Sequence, residues 1–182
     1  SLPSAAPDVY KRRPPAVTEM IKRMKSENLI LKDKENGYLL TDIGLKLVSE
    51  LYRKHRLIEV FLVHHLDYTS DQIHEEAEVL EHTVSDLFVE RLDKLLGFPQ
   101  TCPHGGTIPA EGELLVEINN LPLAAVQEAG TYLLTRVHDS FELLKYLEKH
   151  AIHIGDQLQV KQFDSFSNSF TLVNKDEDLS LI

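Results

Sequence analysis

Residues 74–82, HEEAEVLEH, decide what kind of interior this chain can build. Wound as a helix at about 100° per residue, they place His74, Glu78, Glu81 and His82 within one arc, while Ala77, Leu80, Val84 and Leu87 fall on another. One face is carboxylate and imidazole, the other hydrocarbon. The preceding stretch, a helix predicted from about Thr41, repeats the pattern. Leu45, Val48, Leu51, Tyr52, Ile58 and Leu62 make an apolar stripe, and His55 and Glu59 stand inside it. A polar pair at core-facing positions needs a partner.

A divalent cation is the simplest partner, because gathered carboxylates repel one another unless a positive charge joins them. A single His/Glu pair one turn apart is ordinarily a surface feature or a satisfied core pair. Two such runs in one chain point instead to a metal site.

The chain has 182 residues, enough for one large domain or two to three small ones, and its 42% apolar content with no long apolar run reads as soluble and globular, with no membrane span. One cysteine excludes an intramolecular disulfide framework, and the opening SLPSAAPDVYKRR has no apolar core of a signal peptide, so a reducing cytoplasm is expected. The net charge of −10 is unevenly spread. Residues 10–54 carry eleven Lys/Arg against six Asp/Glu, whereas residues 55–182 carry eight against twenty-two. A basic module suits a polyanion and an acidic one suits cations.

Pro14-Pro15 opens PPAVTEMIKRMKSENL, where proline suits a first helical turn and Val17, Ile21 and Met24 recur at helical spacing. In LILKDKENGYLLTD, apolar residues flank a turn at Asp33–Gly37, which predicts a two-stranded wing. Thr41 is the expected N-cap of a helix reaching about His65, and Thr69 to Asp71 that of another over Gln72 to Leu96, ended by Gly97 and Pro99. The Pro/Gly-rich FPQTCPHGGTIPAEGE then carries the only cysteine and places a domain boundary near residue 112. Beyond it, LLTRV and GDQLQVKQF alternate like strands around a helix in SFELLKYLEKH.

The PPAVTEMIKRM helix, the KHRLIEVFL segment, the HEEAEVLEHTVSD helix and the CPHG connector, in this order and spacing, resemble the diphtheria toxin repressor family of metal-dependent regulators, and within it the streptococcal manganese-responsive branch. The likeness runs from Pro14 to Ile182. It implies a mainly α chain with small β elements. A winged helix-turn-helix would occupy residues 1–50, a helical metal-binding and dimerisation domain 51–112, and an SH3-like, ferrous-transport-protein-A-like domain 113–182.

The resemblance also implies roles. A primary site would use Glu78, Glu81 and His82 with His55 from the preceding helix, and a second site Glu59, Cys102, His104 and Asp139. Iron-sensing relatives carry cysteine at the position of Glu78, and a carboxylate there makes the site harder and favours Mn²⁺. Two Mn²⁺ per subunit are expected, with Fe²⁺, Zn²⁺ or Cd²⁺ as substitutes. His74 is read as supporting the ligands and Glu75 and Glu76 as solvated.

In the family the recognition helix enters the major groove, and Pro15, Ala16, Thr18 and Glu19 hold its base-facing positions. Lys22, Arg23, Lys25 and the wing's Lys32 and Lys34 suit phosphates. Members begin with two further helices, the first bearing an acidic ligand. SLPSAAPDVYKRR does not match them, so the winged helix is expected to be incomplete at its start, with DNA affinity and the primary site affected. Asp8 before Val9-Tyr10 echoes that ligand only faintly and is left out of the site.

The expected function is therefore a Mn²⁺-dependent repressor of metal-uptake genes, a homodimer on an operator of two related half-sites. The competing readings are a di-metal carboxylate enzyme, an iron-responsive regulator, or a metal buffer built on the C-terminal module. An enzyme of that class would need a second copy of the acidic motif on four long helices, and a buffer leaves the basic segment idle.

Overall fold

The structure, a computed structural model, describes residues 14–69, 72–118, 121–164, 166, 169–174 and 177–181. The chain divides into two compact units, residues 1–48 and 49–182. The expectations for residues 1–13, and Asp8 with them, lie outside the described residues.

In the first unit α1 (Pro14–Ser26) is followed by the antiparallel hairpin β1 (Ile30–Asp33) and β2 (Gly37–Leu40), in which Ile30 pairs Leu40 and Asp33 pairs Gly37. Asp33 fixes the tip: its Oδ1 accepts from the backbone N–H groups of Glu35 at 2.9 Å and Asn36 at 2.7 Å. Thr41 caps the next helix as expected, accepting from Gly44 N–H at 3.1 Å and donating to Asn28 O at 2.6 Å. The helix and wing expected from the sequence are present.

Helix α2 (Asp42–Leu66) follows, then α3 (Ile73–Glu81) and α4 (Asp86–Leu95). The single helix expected over Gln72–Leu96 is broken at His82–Ser85. Thr83 Oγ1 bonds back to Leu80 O at 3.0 Å, and Ser85 caps a new helix by accepting from Phe88 N–H at 3.2 Å. Gln72, not a Thr69–Asp71 cap, stands at the start of α3 with no side-chain cap bond, and residues 70 and 71 lie outside the described set. The break also ends the apolar arc, leaving Leu87 60% exposed.

One core joins Leu57, Ile58, Val60 and Leu62 of α2, Ile73 and Ala77 of α3, Val89 and Leu92 of α4, and Cys102 and Ile108 of the connector. Each large side chain buried there contributes about 1.5–3 kcal/mol relative to exposure. A buried ion pair crosses this core: Arg53 Nη2 lies 2.6 Å from Asp93 Oδ2, while Nη1 donates to Pro109 O at 2.9 Å.

The C-terminal part of the second unit is a four-stranded antiparallel sheet in the order β3 (Gly130–Leu133), β4 (Gln157–Asp164), β5 (Ser169–Asn174) and β6 (Glu177–Leu181), with α5 (Phe141–Lys149) between β3 and β4. Its core holds Leu147, Ile152, Leu158, Val160, Phe170 and Leu172. The strand expected in LLTRV lies earlier. Only Leu133 of that run is in β3, and residues 134–140 run on irregularly past Asp139. Among the described residues no helix is long and apolar enough to cross a membrane.

Candidate metal centre

One helical turn separates His55 from Glu59, so both point from α2 into the same interior, 8% and 1% exposed. A carboxylate so buried requires partners, and Glu59 Oε1 has three imidazoles around it: His55 Nε2 at 3.2 Å, His104 Nδ1 at 3.3 Å and His74 Nδ1 at 3.9 Å. Two donor groups meet there. The ligand atoms of His55, Glu59 and His74 lie within 4.8 Å of one another, and so do those of Glu59, Cys102 and His104.

Each group extends further. On one side His55 Nδ1 lies 2.7 Å from Glu81 Oε2 and its Nε2 lies 3.2 Å from His74 Nδ1. Glu78 lines the same cavity of about 230 Å³ with Leu51, Tyr52, His55, His74, Glu81 and Asp139. On the other side Asp139 Oδ1 is 3.2 Å from His104 Nδ1, held by the Val137 N–H to His104 O bond at 3.0 Å.

Electrostatics separate the donors into charged and neutral sets. Burial would raise the Glu59 carboxyl, but His104, His55 and His74 hold it far below the usual range. Asp139, raised by burial, is brought below its ordinary value by His104. Burial lowers His55, yet Glu59 and Glu81 leave it above its ordinary value, and His74 is raised chiefly by Glu59. Burial, reinforced by Glu59, pushes the Cys102 thiol up to about 12. The carboxylates thus favour the protonated forms of His55 and His74, and a divalent cation bound there would displace those protons. Carboxylate oxygens and imidazole nitrogens are a donor set that fits such an ion.

Of the eight residues expected as ligands, Glu59, Cys102, His104 and Asp139 form one connected group, and His55 and Glu81 another with Glu78 at the cavity wall. His82 stands just past α3 as its C-cap, 66% exposed at the side chain, with Nε2 3.4 Å from Glu81 Oε1. Sequence reasoning placed His74 behind the ligands, whereas here its ring faces His55 directly with centroids 4.9 Å apart. It also missed Arg56, although that residue adjoins His55.

The residues expected at DNA whose side chains are described face solvent. Ala16, Thr18, Glu19, Lys22, Arg23 and Lys25 of α1 and Lys32 and Lys34 of the wing are exposed, and Pro15 lies in the first turn of α1 with its side chain outside the described set. Glu19 pairs Lys22 at 3.3 Å and Arg23 pairs Glu27 at 2.7 Å, both weak exposed pairs that a phosphate can displace.

Residues 41–110 match the family described as iron dependent repressor, metal binding and dimerisation domain, and residues 121–181 match the FeoA domain. The diphtheria toxin repressor of Corynebacterium diphtheriae is 26% identical over 179 residues, covering 92% of this chain and 78% of that protein. The iron-dependent repressor IdeR of Mycobacterium tuberculosis is 32% identical over 123 residues, covering 68% of this chain and about half, 52%, of that protein. A 75-residue stretch is 39% identical to a probable metal transport system membrane protein of Chlamydia trachomatis, 41% of this chain but 17% of that protein.

Among solved structures, the apo form of the manganese-activated repressor ScaR is 61% identical with a TM-score of 0.88, covering 93% of this chain and 80% of that one. ScaR has also been solved with bound Cd²⁺ and with bound Zn²⁺. The manganese regulator SloR is 59% identical with a TM-score of 0.85, over 92% of this chain and 78% of that one. By their names the toxin repressor, IdeR and ScaR are repressors and SloR is a regulator. At these identities and coverages, the chain belongs to the diphtheria toxin repressor family of metal-dependent transcriptional regulators.

Proposed function

We propose that this chain is a cytoplasmic, Mn²⁺-activated repressor that binds, as a homodimer, an operator with two related half-sites and controls metal-uptake genes. The observation that carries the reading is the gathering of Glu59, His55, His74, His104, Glu81 and Asp139 from α2, α3, the connector and the segment after β3. Donors from separate segments share an ion only in one arrangement of those segments, so occupancy selects that arrangement. Glu78 in place of a thiolate supports a hard ion such as Mn²⁺. The primary set is Glu78, Glu81, His82 and His55; the second is Glu59, Cys102, His104 and Asp139, giving two ions per subunit.

Two further observations support the partners. The basic face of α1 and the wing suits a phosphate backbone. The likeness to a stretch of a probable metal transport system membrane protein supports a link to metal transport. Fluorescence anisotropy of a labelled operator-like duplex, titrated with and without Mn²⁺ at several salt concentrations, tests the whole. Binding that Mn²⁺ strengthens and salt weakens is expected, and identical isotherms with and without the ion would sink the proposal.

A further inference from the structure

Residues 111–118 run between the two family-matched stretches, and they are fastened at several points. Leu115 N–H donates to Ser49 Oγ at 2.8 Å, and Ile118 N–H to Thr107 Oγ1 at 3.3 Å. The strongest fastening is Glu117. Its Oε1 lies 2.7 Å from Arg56 Nη2 and 3.2 Å from Arg136 Nη2, and its Oε2 accepts from Thr107 N–H at 3.0 Å. Arg56 also donates to Thr107 O and lies over the Tyr52 ring at 4.7 Å.

These contacts place a charged group where three segments meet. Arg56 follows His55 on α2, Thr107 directly follows the CPHGG run of the connector, and Arg136 stands three residues before Asp139. The connector itself is pinched. A Cβ at Gly106 would sit 2.7 Å from Arg56 Cζ, and one at Gly105, whose φ is +82°, would overlap the Thr135 carbonyl oxygen. Arg56 and Arg136 are 5% and 38% exposed at their side chains and Glu117 19%, so the ion pairs are only partly screened. Burial would raise the Glu117 carboxyl, but Thr107 and Arg56 bring it below its ordinary value.

We propose that Glu117 is a positioning residue: shared by Arg56, Arg136 and the Thr107 N–H, its carboxylate clasps the segment carrying Asp139 to the helix carrying Glu59, and so sets the spacing of the second donor set. The inference rests on the two-site reading above. Without the clasp, Arg136 and the neighbouring Val137 to His104 bond lose an anchor, and Asp139 drifts from His104 while Glu81 and His55 keep their contact.

Cys102 is the only cysteine and 6% exposed, so its labelling by dithiobisnitrobenzoate in the metal-free full chain reports opening of this region directly. In Glu117→Gln the labelling rate should rise about tenfold, and Mn²⁺ calorimetry should show one site weakened by about tenfold with the other unchanged, each being roughly one decade of an equilibrium constant. Arg136→Met removes one guanidinium at the surface without emptying the buried pair. It should move both readouts the same way by less, and it keeps the test alive if the first variant fails to fold. Glu113→Gln, exposed on the same segment, should match the wild type. Unchanged labelling in both clasp variants, or equal weakening of both metal sites, overturns the clasp. If the wild type binds only one Mn²⁺, the two-site reading falls and the labelling rates alone decide the clasp.

Discussion

His55 Nδ1 lies 2.7 Å from Glu81 Oε2, joining the middle of α2 to the last residue of α3 across the candidate metal cavity. Both side chains are buried, so neither can exchange its partner for bulk water. Loss of either takes this partner from the facing buried atom, Nδ1 of His55 or Oε2 of Glu81.

Glu81→Ala and His82→Ala should both abolish Mn²⁺-dependent DNA binding, whereas Glu75→Ala, exposed in the first turn of α3, should change little. Cys102→Ala should remove about one ion per chain while leaving the primary site. Calorimetry reads the ions and anisotropy the DNA. Equal loss from all three helix variants would mean that α3 is merely fragile, and an unchanged stoichiometry would make Cys102 a packing residue.

The metal-free protein should be most stable between about pH 4.5 and 6.5. His55 and His74 are raised above their ordinary 6.5, so their contribution is complete below that value and lost as pH rises through the raised ones. Glu59 and Asp139 are lowered from 4.5 and 3.8, so theirs is present above those values and lost as pH falls. Mn²⁺ binding displaces imidazole protons, so its affinity should climb as pH rises through the raised values of His55 and His74, by at most about tenfold per unit for each proton released. Urea midpoints and Mn²⁺ isotherms across this range check both slopes. A flat Mn²⁺ affinity would mean that the histidines are not ligands.

Asp93→Ala should destabilise the fold by about 3–5 kcal/mol, because it strands the Arg53 guanidinium in the core. Lys54→Ala, whose partner Asp86 is 93% exposed, should cost less than about 1 kcal/mol. Urea denaturation of the metal-free protein separates the two. Comparable losses would show that burial is not what gives the Arg53–Asp93 pair its weight.

The helical region was legible in its parts because its signals are local. Thr41, Asp33 and the Asn36-Gly37 turn each announce a cap or a tip within a few residues, and the structure places them there. The break at His82–Ser85 was not, since Ser85 competes with a helical pattern that continues on both sides, and only its bond to Phe88 reveals the cap. Family likeness names the donors as residues, yet which imidazole faces which carboxylate depends on packing between α2, α3 and the connector. Hence the ring-to-ring approach of His74 and His55 is not visible in the sequence. Arg56 and Glu117 stand 61 positions apart, and no periodicity links residues at that separation.

A homodimer is expected at micromolar concentration, because Leu87, Leu95 and Phe98 are each 60% exposed or more on and after α4, an apolar surface that a second copy can cover. Sedimentation velocity with Mn²⁺ present measures it, and a monomer would sink the two-half-site operator with the dimer.

Lys22→Ala or Arg23→Ala should weaken DNA binding across all sequences and lower the log–log salt slope by about one unit each. Thr18→Ala should leave that slope alone and relax base preference. Anisotropy over a salt series on two duplexes discriminates them, and a sequence-selective effect from Lys22 would reverse its assignment to phosphate.

The one-turn interval between His55 and Glu59 also makes this stretch intolerant of any change in length. A single inserted or deleted residue between them would rotate Glu59 by about 100° about the axis of α2 and swing its carboxylate away from His55 and His104. Every donor would still be encoded, and the two groups of ligands would no longer share one.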